Sequence, residues 1–254
     1  NNASRSGRPI QTFENVTDYT DAANRYISGI NRTRSMQILT NTSYPNGLTR
    51  AMPVFTSDYA LYWFDYKAGY DTILAQIGGN GGTNSKIQQI ALCRGAANMQ
   101  NKEWGTIITW ATDNPPYLES GADMLQDMKM AYNAGAKYII IFNYPLLNDY
   151  GALTEEHFEA MKTFWHYVQN NPRTTDKSTH TAFVLPKDYG WGMRRPDDRI
   201  WGLWPADNLS IEIWDKMMTL IDQYGVELDI IYDDSDFNIK EKYSQVYYWN
   251  DTIG

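Results

Sequence analysis

Asp113 and Glu119 follow the β-branched run Trp104–Trp110 (WGTIITW), Asp149 follows Lys137–Asn143 (KYIIIFN), and Asp58 stands just beyond the loop after an earlier apolar run. Carboxyl groups in pairs, about 5 to 10 Å apart, are what acid–base cleavage of a glycosidic bond requires: one protonates the leaving oxygen and the other attacks or activates water. In parallel α/β architectures such groups gather at the carboxyl ends of strands. Asp58 and Asp113 are therefore the catalytic candidates, although each also suits a solvated loop or a helix cap. Gln76, at the end of Asp71–Ile77, cannot be a nucleophile, but its amide can bind a hydroxyl. Trp110, Tyr117, Asn143 and Tyr144 at two further strand ends complete one expected binding rim.

A second dense cluster is Lys187–Trp204 (KDYGWGMRRPDDRIWGLW), which follows the strand-like Thr181–Leu185. Aromatic faces stack on sugar rings, and Arg and Asp bond hydroxyls, so Asp188, Trp191 and Arg194 are candidate ligand contacts. The same residue types could equally cement two packed units. Other chemistries find little support. Gly78–Asn84 holds four glycines, but neither phosphate-loop spacing is present. His157 and His166 are nine residues apart, off a common helical face, and His180 lies further on. Asp233, Asp234 and Asp236 lack the calcium-loop spacing and its closing Glu. No G-x-S-x-G elbow anchors a serine triad. Cys93, the single cysteine, sits in a helical run and reads as a buried thiol. Neither metal nor cofactor is expected.

The elements that would position these residues follow from periodicity. Helices are predicted over 18–34, 58–69, 86–100 (capped by Ser85), 120–134 (capped by Ser120 and closed by Gly135) and 210–224, and a further one is capped by Thr154, with Glu155 and Glu156 in its first turn and an apolar stripe of Phe158, Met161, Trp165 and Val168. Strands are predicted over 35–40, 71–77, 104–110, 137–143, 181–185, 226–232 and 242–249, the last at a sheet edge. The polar stretch 171–180 is the expected linker between a first unit, 1–170, and a small α/β domain, 181–254. Four βα repeats precede the linker. They make either an open sheet or the second half of an eight-stranded (β/α)8 barrel, and the latter is the expectation.

Composition narrows the class. The formal charge is −8, which argues against nucleic acid, and no window of about 18 apolar residues offers a membrane span. The chain opens on Asn1-Asn2-Ala3-Ser4, which suggests a processed product or part of something longer. Sequons at Asn2, Asn15, Asn31, Asn41, Asn208 and Asn250 exceed chance and point to a secreted or cell-surface glycoprotein. Aromatics reach 14%, with 9 Trp and 19 Tyr, enough to furnish a sugar-binding surface as well as a core.

The runs RGAANMQNKEWGTIITW, PPYLESGADMLQDMKMAYNAGAKYIIIFNYP and LTEEHFEAMKTFW resemble the last barrel units of retaining glycoside hydrolases of the large (β/α)8 clan. The family 42 β-galactosidase layout, a barrel followed by a flavodoxin-like domain, is the nearest. The resemblance covers about residues 35–232 as architecture and implies a carbohydrate-active protein. Its missing barrel half would come from the same precursor or from a second copy. In that clan glutamates end the fourth and seventh strands. The seventh-strand position here holds Trp110 or Gln76, so no catalytic residue carries over, and a non-catalytic glycan-binding or structural protein on the same scaffold is the alternative.

Overall fold

The computed structural model describes residues 15–41, 55–58, 60–78, 82–109, 119–142, 153–173 and 181–252, without the side chains of 33–41 and 55–58. The fold is mixed α/β with two parallel sheets. Helix α1 (Tyr19–Asn41) precedes strand β1 (Phe55–Asp58), helix α2 (Tyr62–Lys67), strand β2 (Thr72–Ile77) and helix α3 (Thr83–Gln100). Strand β3 (Glu103–Thr109), helix α4 (Gly121–Asn133), strand β4 (Tyr138–Phe142) and helix α5 (Glu155–Asn170) complete the first unit. Then come strand β5 (Thr181–Leu185), helix α6 (Asn208–Tyr224), strand β6 (Leu228–Tyr232), the short helix α7 (Ile239–Lys242) and strand β7 (Gln245–Tyr248).

The first sheet has the order β1-β2-β3-β4, every pair parallel. Sequential order with right-handed crossovers puts α2, α3 and α4 on one face. The opposite face carries Leu74, Gly105 and Tyr138 side by side, then Gln76, Ile107 and Ile140. Its β4 margin is open: Tyr138, Ile140 and Phe142 are each about 40% exposed. Apolar residues at alternate positions of a parallel strand are normally covered.

The second sheet has the order β6-β5-β7, again all parallel. Because β5 is central, successive crossovers run to opposite sides and the sheet is covered on both faces; β5 and β6 are buried throughout. One of the covering elements is α3, which also backs β2 and β3. At Gly95 an added Cβ would lie 2.6 Å from the Ile230 carbonyl oxygen, so glycine allows helix and strand to meet backbone to backbone. Serving two sheets explains why α3 is buried nearly all round, including Gln88, Gln89 and Arg94. Gln88 donates to the Met193 carbonyl at 2.7 Å. Arg94 donates to the fully buried Asp229 at 2.7 Å and to the Leu228 carbonyl at 2.8 Å. The Asn98 amide and the Tyr243 hydroxyl also donate to that carboxylate, at 2.9 and 2.7 Å.

Several expectations need correction. Residues 35–40 are helical: nothing between Ile30 and Asn41 breaks α1, and a short apolar run fits helix or strand equally. The first strand is instead 55–58, which makes Asp58 its last residue, paired with Ala75. Helix α2 is shorter than 58–69. Helix α3 begins at Thr83 with Gly82 as its cap, ahead of Ser85, and 239–242 is a helical turn before β7. On α5 the expected stripe is rotated, since Phe158 and Trp165 are 57% and 64% exposed. His157 sets that rotation. Its Nδ1 accepts from the Thr154 backbone N–H at 3.1 Å and its Nε2 donates to the Glu119 carbonyl at 2.8 Å, so its face must turn inward. Ser120 and Gly135 bracket α4 as expected, and the buried Cys93 thiol points to the Ile73 carbonyl.

Candidate functional site

The loop from Pro186 to Asp207 leaves β5 at its carboxyl end, beside the point where the strand order reverses; ligands of doubly wound sheets bind outside such ends. Its backbone folds on itself through antiparallel bridges from Trp191 to Ile200 and from Ile200 to Trp204. Those bridges bury Trp191 and Ile200 completely. Trp201, next to Ile200, is turned the other way.

Aromatic side chains from the first unit support the loop from beneath. Phe64 of α2 and Tyr26 of α1 meet the Trp201 ring at centroid distances of 4.7 and 5.6 Å, and Tyr19 meets Tyr189 and Trp204 at 5.5 and 5.1 Å. The Trp201 indole N–H donates to the Asp188 carbonyl at 2.8 Å. Gly190 passes directly under that indole: a Cβ there would lie 2.3 Å from the ring. Tyr189 donates to Asp207 at 2.8 Å; burial and this carboxylate push its phenol well above the ordinary value, so it stays neutral. The loop is thus held by packing and hydrogen bonds at many points.

A cleft of about 370 Å³ opens over this platform, lined by Leu61, Gly190, Gly192, Arg194, Asp198, Arg199, Trp201 and Gly202. Leu61 comes from the segment just after β1, so the cleft joins the carboxyl side of the first sheet to the loop of the second. Asp198 accepts from the Arg194 backbone N–H at 2.8 Å. Arg199 donates through Nε to the Gly202 carbonyl at 3.1 Å and through Nη2 to that of Leu203. An indole wall, the exposed Gly202 backbone and planar polar groups suit a polyhydroxylated ring better than an apolar ligand.

Of the residues chosen from sequence, Arg194 lines this cleft. Asp188 is adjacent, with a left-handed backbone (φ 57°) and its carboxylate accepting from the Thr20 hydroxyl at 2.9 Å. Trp191 is a core side chain, packed edge-on against Trp214 and Tyr189, and its ring is not presented to the cleft. Gln76 lies on the open face of the first sheet and donates to the Thr109 hydroxyl at 3.4 Å. Trp110, Asp113, Tyr117, Asn143 and Tyr144 lie outside the described residues, as does His180. Trp201, Asp198, Arg199 and the glycines were not singled out. Nothing in G-W-G or I-W-G alone tells which Trp faces inward; only the bridge register decides it.

A second titratable cluster stands between α3 and α4, at the carboxyl side of β2 and β3. The Lys86 ammonium meets both oxygens of Asp127 at 2.8 Å and Glu119 at 3.1 Å. Burial lifts both carboxyl groups above their usual range, with neighbouring carboxylates adding and Lys86 opposing. Burial also works against the Lys86 charge, but its bonds to Asp127 and Glu119 outweigh that and hold the ammonium above its ordinary value. One Glu119 oxygen is buried without a hydrogen-bond partner among the described residues. Lys86 thus bridges the two acids and ties the start of α3 to α4.

Asp234 pairs with Lys67 at 2.6 Å and accepts from the Asp236 backbone, so part of the 233–236 acidic run is spent on α2. Among the described residues no group of three or more His, Cys, Asp or Glu is arranged to hold a metal ion, and no helix is long and apolar enough to cross a membrane. Asn15, Asn31, Asn208 and Asn250 are exposed, although the Asn31 amide donates to the Ala68 carbonyl at 3.2 Å. Asn41 ends α1, its side chain undescribed, and Asn2 lies outside the described residues. Compared with known protein families, curated proteins and solved structures, the chain matches none.

Proposed function

We propose that this chain is an extracellular carbohydrate-active protein that binds oligo- or polysaccharide in the cleft between Leu61 and the 186–207 loop. The observation that carries this reading is Trp201. Its ring is fixed by Phe64, Tyr26, Gly190 and the Asp188 carbonyl, and it walls a cleft furnished with Arg194, Asp198 and Arg199. A rigid aromatic wall with polar groups at its margin binds a sugar at little entropic cost.

Two observations favour a glycoside hydrolase scaffold as the setting. The order β1-β2-β3-β4, with apolar residues exposed at its β4 margin, fits half of a (β/α)8 barrel, completed by the rest of a precursor or by a second copy. The order β6-β5-β7 fits the 2-1-3 arrangement of a flavodoxin-like domain. Hydrolysis itself is the second reading: Asp58 closes β1, three residues before Leu61. Glycan binding without turnover stands first, because among the described residues lining the cleft the one carboxylate, Asp198, is already bonded to the Arg194 N–H.

Titration calorimetry against a panel of oligosaccharides tests this, with aryl glycosides alongside for turnover. Binding by the wild type and loss of it in Trp201→Ala, in a variant that circular dichroism shows to be folded although its melting temperature falls with the lost packing, is the expected result. Turnover that vanishes in Asp58→Asn or Asp113→Asn would promote the hydrolase reading. Binding unaffected by Trp201→Ala would refute the site.

A further inference from the structure

The charge of the cleft runs against that of the molecule. The chain carries a formal −8, yet the ionisable residues lining the cleft are Arg194, Arg199 and Asp198, two cations against one anion. The Asp198 carboxylate is held in place: one oxygen accepts the Arg194 backbone N–H at 2.8 Å and lies 2.8 Å from where a Gly192 Cβ would be. The neighbouring charges are compensated or turned elsewhere: Arg195 faces Asp197 at 3.4 Å, and the Asp188 carboxylate bonds Thr20.

The Arg199 guanidinium is held by its two bonds to the Gly202 and Leu203 carbonyls. That fixes its plane while leaving the Nη1 N–H groups clear of those bonds. A guanidinium oriented in advance matches the two oxygens of a carboxylate and loses little entropy on binding. Beside it, Trp201 and Leu61 offer apolar surface for a ring.

Building on the carbohydrate reading, the geometry points to an acidic saccharide as the ligand of this cleft: a uronic acid whose carboxylate meets Arg199 while its ring lies against Trp201.

The test compares trigalacturonic acid with its trimethyl ester by calorimetry; the two share a skeleton and differ in charge. The acid is expected to bind about tenfold more tightly at low ionic strength. That advantage should shrink as salt rises to roughly 0.5 M, because the cleft is open to solvent. Arg199→Gln should abolish the preference while retaining binding of the ester, and Arg194→Gln should reduce it; melting curves verify that both variants are folded. Equal affinities, or a preference for the ester, overturn the inference and leave the carbohydrate reading standing. Failure of both compounds and of the neutral panel sinks that reading and the inference with it.

Discussion

Replacing Arg94 by Met is expected to destabilise the protein by about 3–5 kcal/mol, the usual cost of stranding one member of a buried ion pair. Asp229 is fully buried and would lose its cationic partner, keeping the neutral donors of Asn98 and Tyr243. Two carbonyls, of Ala134 and Leu228, would also lose their donor. Against a total stability of about 5–15 kcal/mol this is a large share. For a chain of this length it corresponds to a fall in Tm of roughly 6–20 °C. Urea denaturation followed by tryptophan fluorescence and far-UV circular dichroism gives the difference directly. Because Arg94 ties α3 to β6 and to the end of α4, both probes should report one transition in the wild type. The double variant Arg94→Met/Asp229→Leu removes both charges and should recover at least half of the loss. A cost below about 1 kcal/mol for the single variant, or a double variant no more stable than the single one, would refute the reasoning.

Glu119→Gln should raise Tm at pH 7. Since Glu119 and Asp127 are held above their unfolded values, the stability that they contribute is full below the ordinary carboxylate range and is lost as pH rises through their raised folded values. Thermal melts from pH 5 to 8 should therefore show a smaller decline with pH in the variant, and an identical profile would exclude Glu119 as a source. Gly95→Ala should cost about 2–3 kcal/mol or more, because its Cβ meets backbone that cannot step aside; urea midpoints measure this, and a neutral result would mean that α3 and β6 stand further apart. Ile140→Lys, on the open face of the first sheet, should change stability by less than about 1 kcal/mol and weaken any self-association seen by light scattering. A large destabilisation would show that the face is covered.

Much of the fold was legible because its signals are local. The Ser120 cap and Gly135 stop bracket α4, and the Ile213, Met217 and Ile221 spacing sets the buried face of α6. What escaped depends on distant partners. Residues 35–40 carry strand-like side chains yet continue a helix that meets no breaker. The stripe on α5 lost to a single histidine satisfied by Thr154 and Glu119. Helix α3 shows a weak apolar pattern because it has two insides, a fact that only the position of β6 supplies. The cleft was half legible: the 187–204 cluster stood out by composition, but which tryptophan is core and which is wall follows from the Trp191–Ile200–Trp204 bridges.

One helix backing two sheets also bears on how the chain can be taken apart. A protease that cuts the polar stretch between 171 and 180 should sever the covalent link without parting the fragments, which would co-elute until denaturant is added. Neither fragment could be swapped for a stand-alone module, since the first would expose one flank of α3 and the second the face of β6 that α3 covers. Duplication or recombination at that seam would succeed only if it carried Gly95 and Arg94 together with the strand they grip.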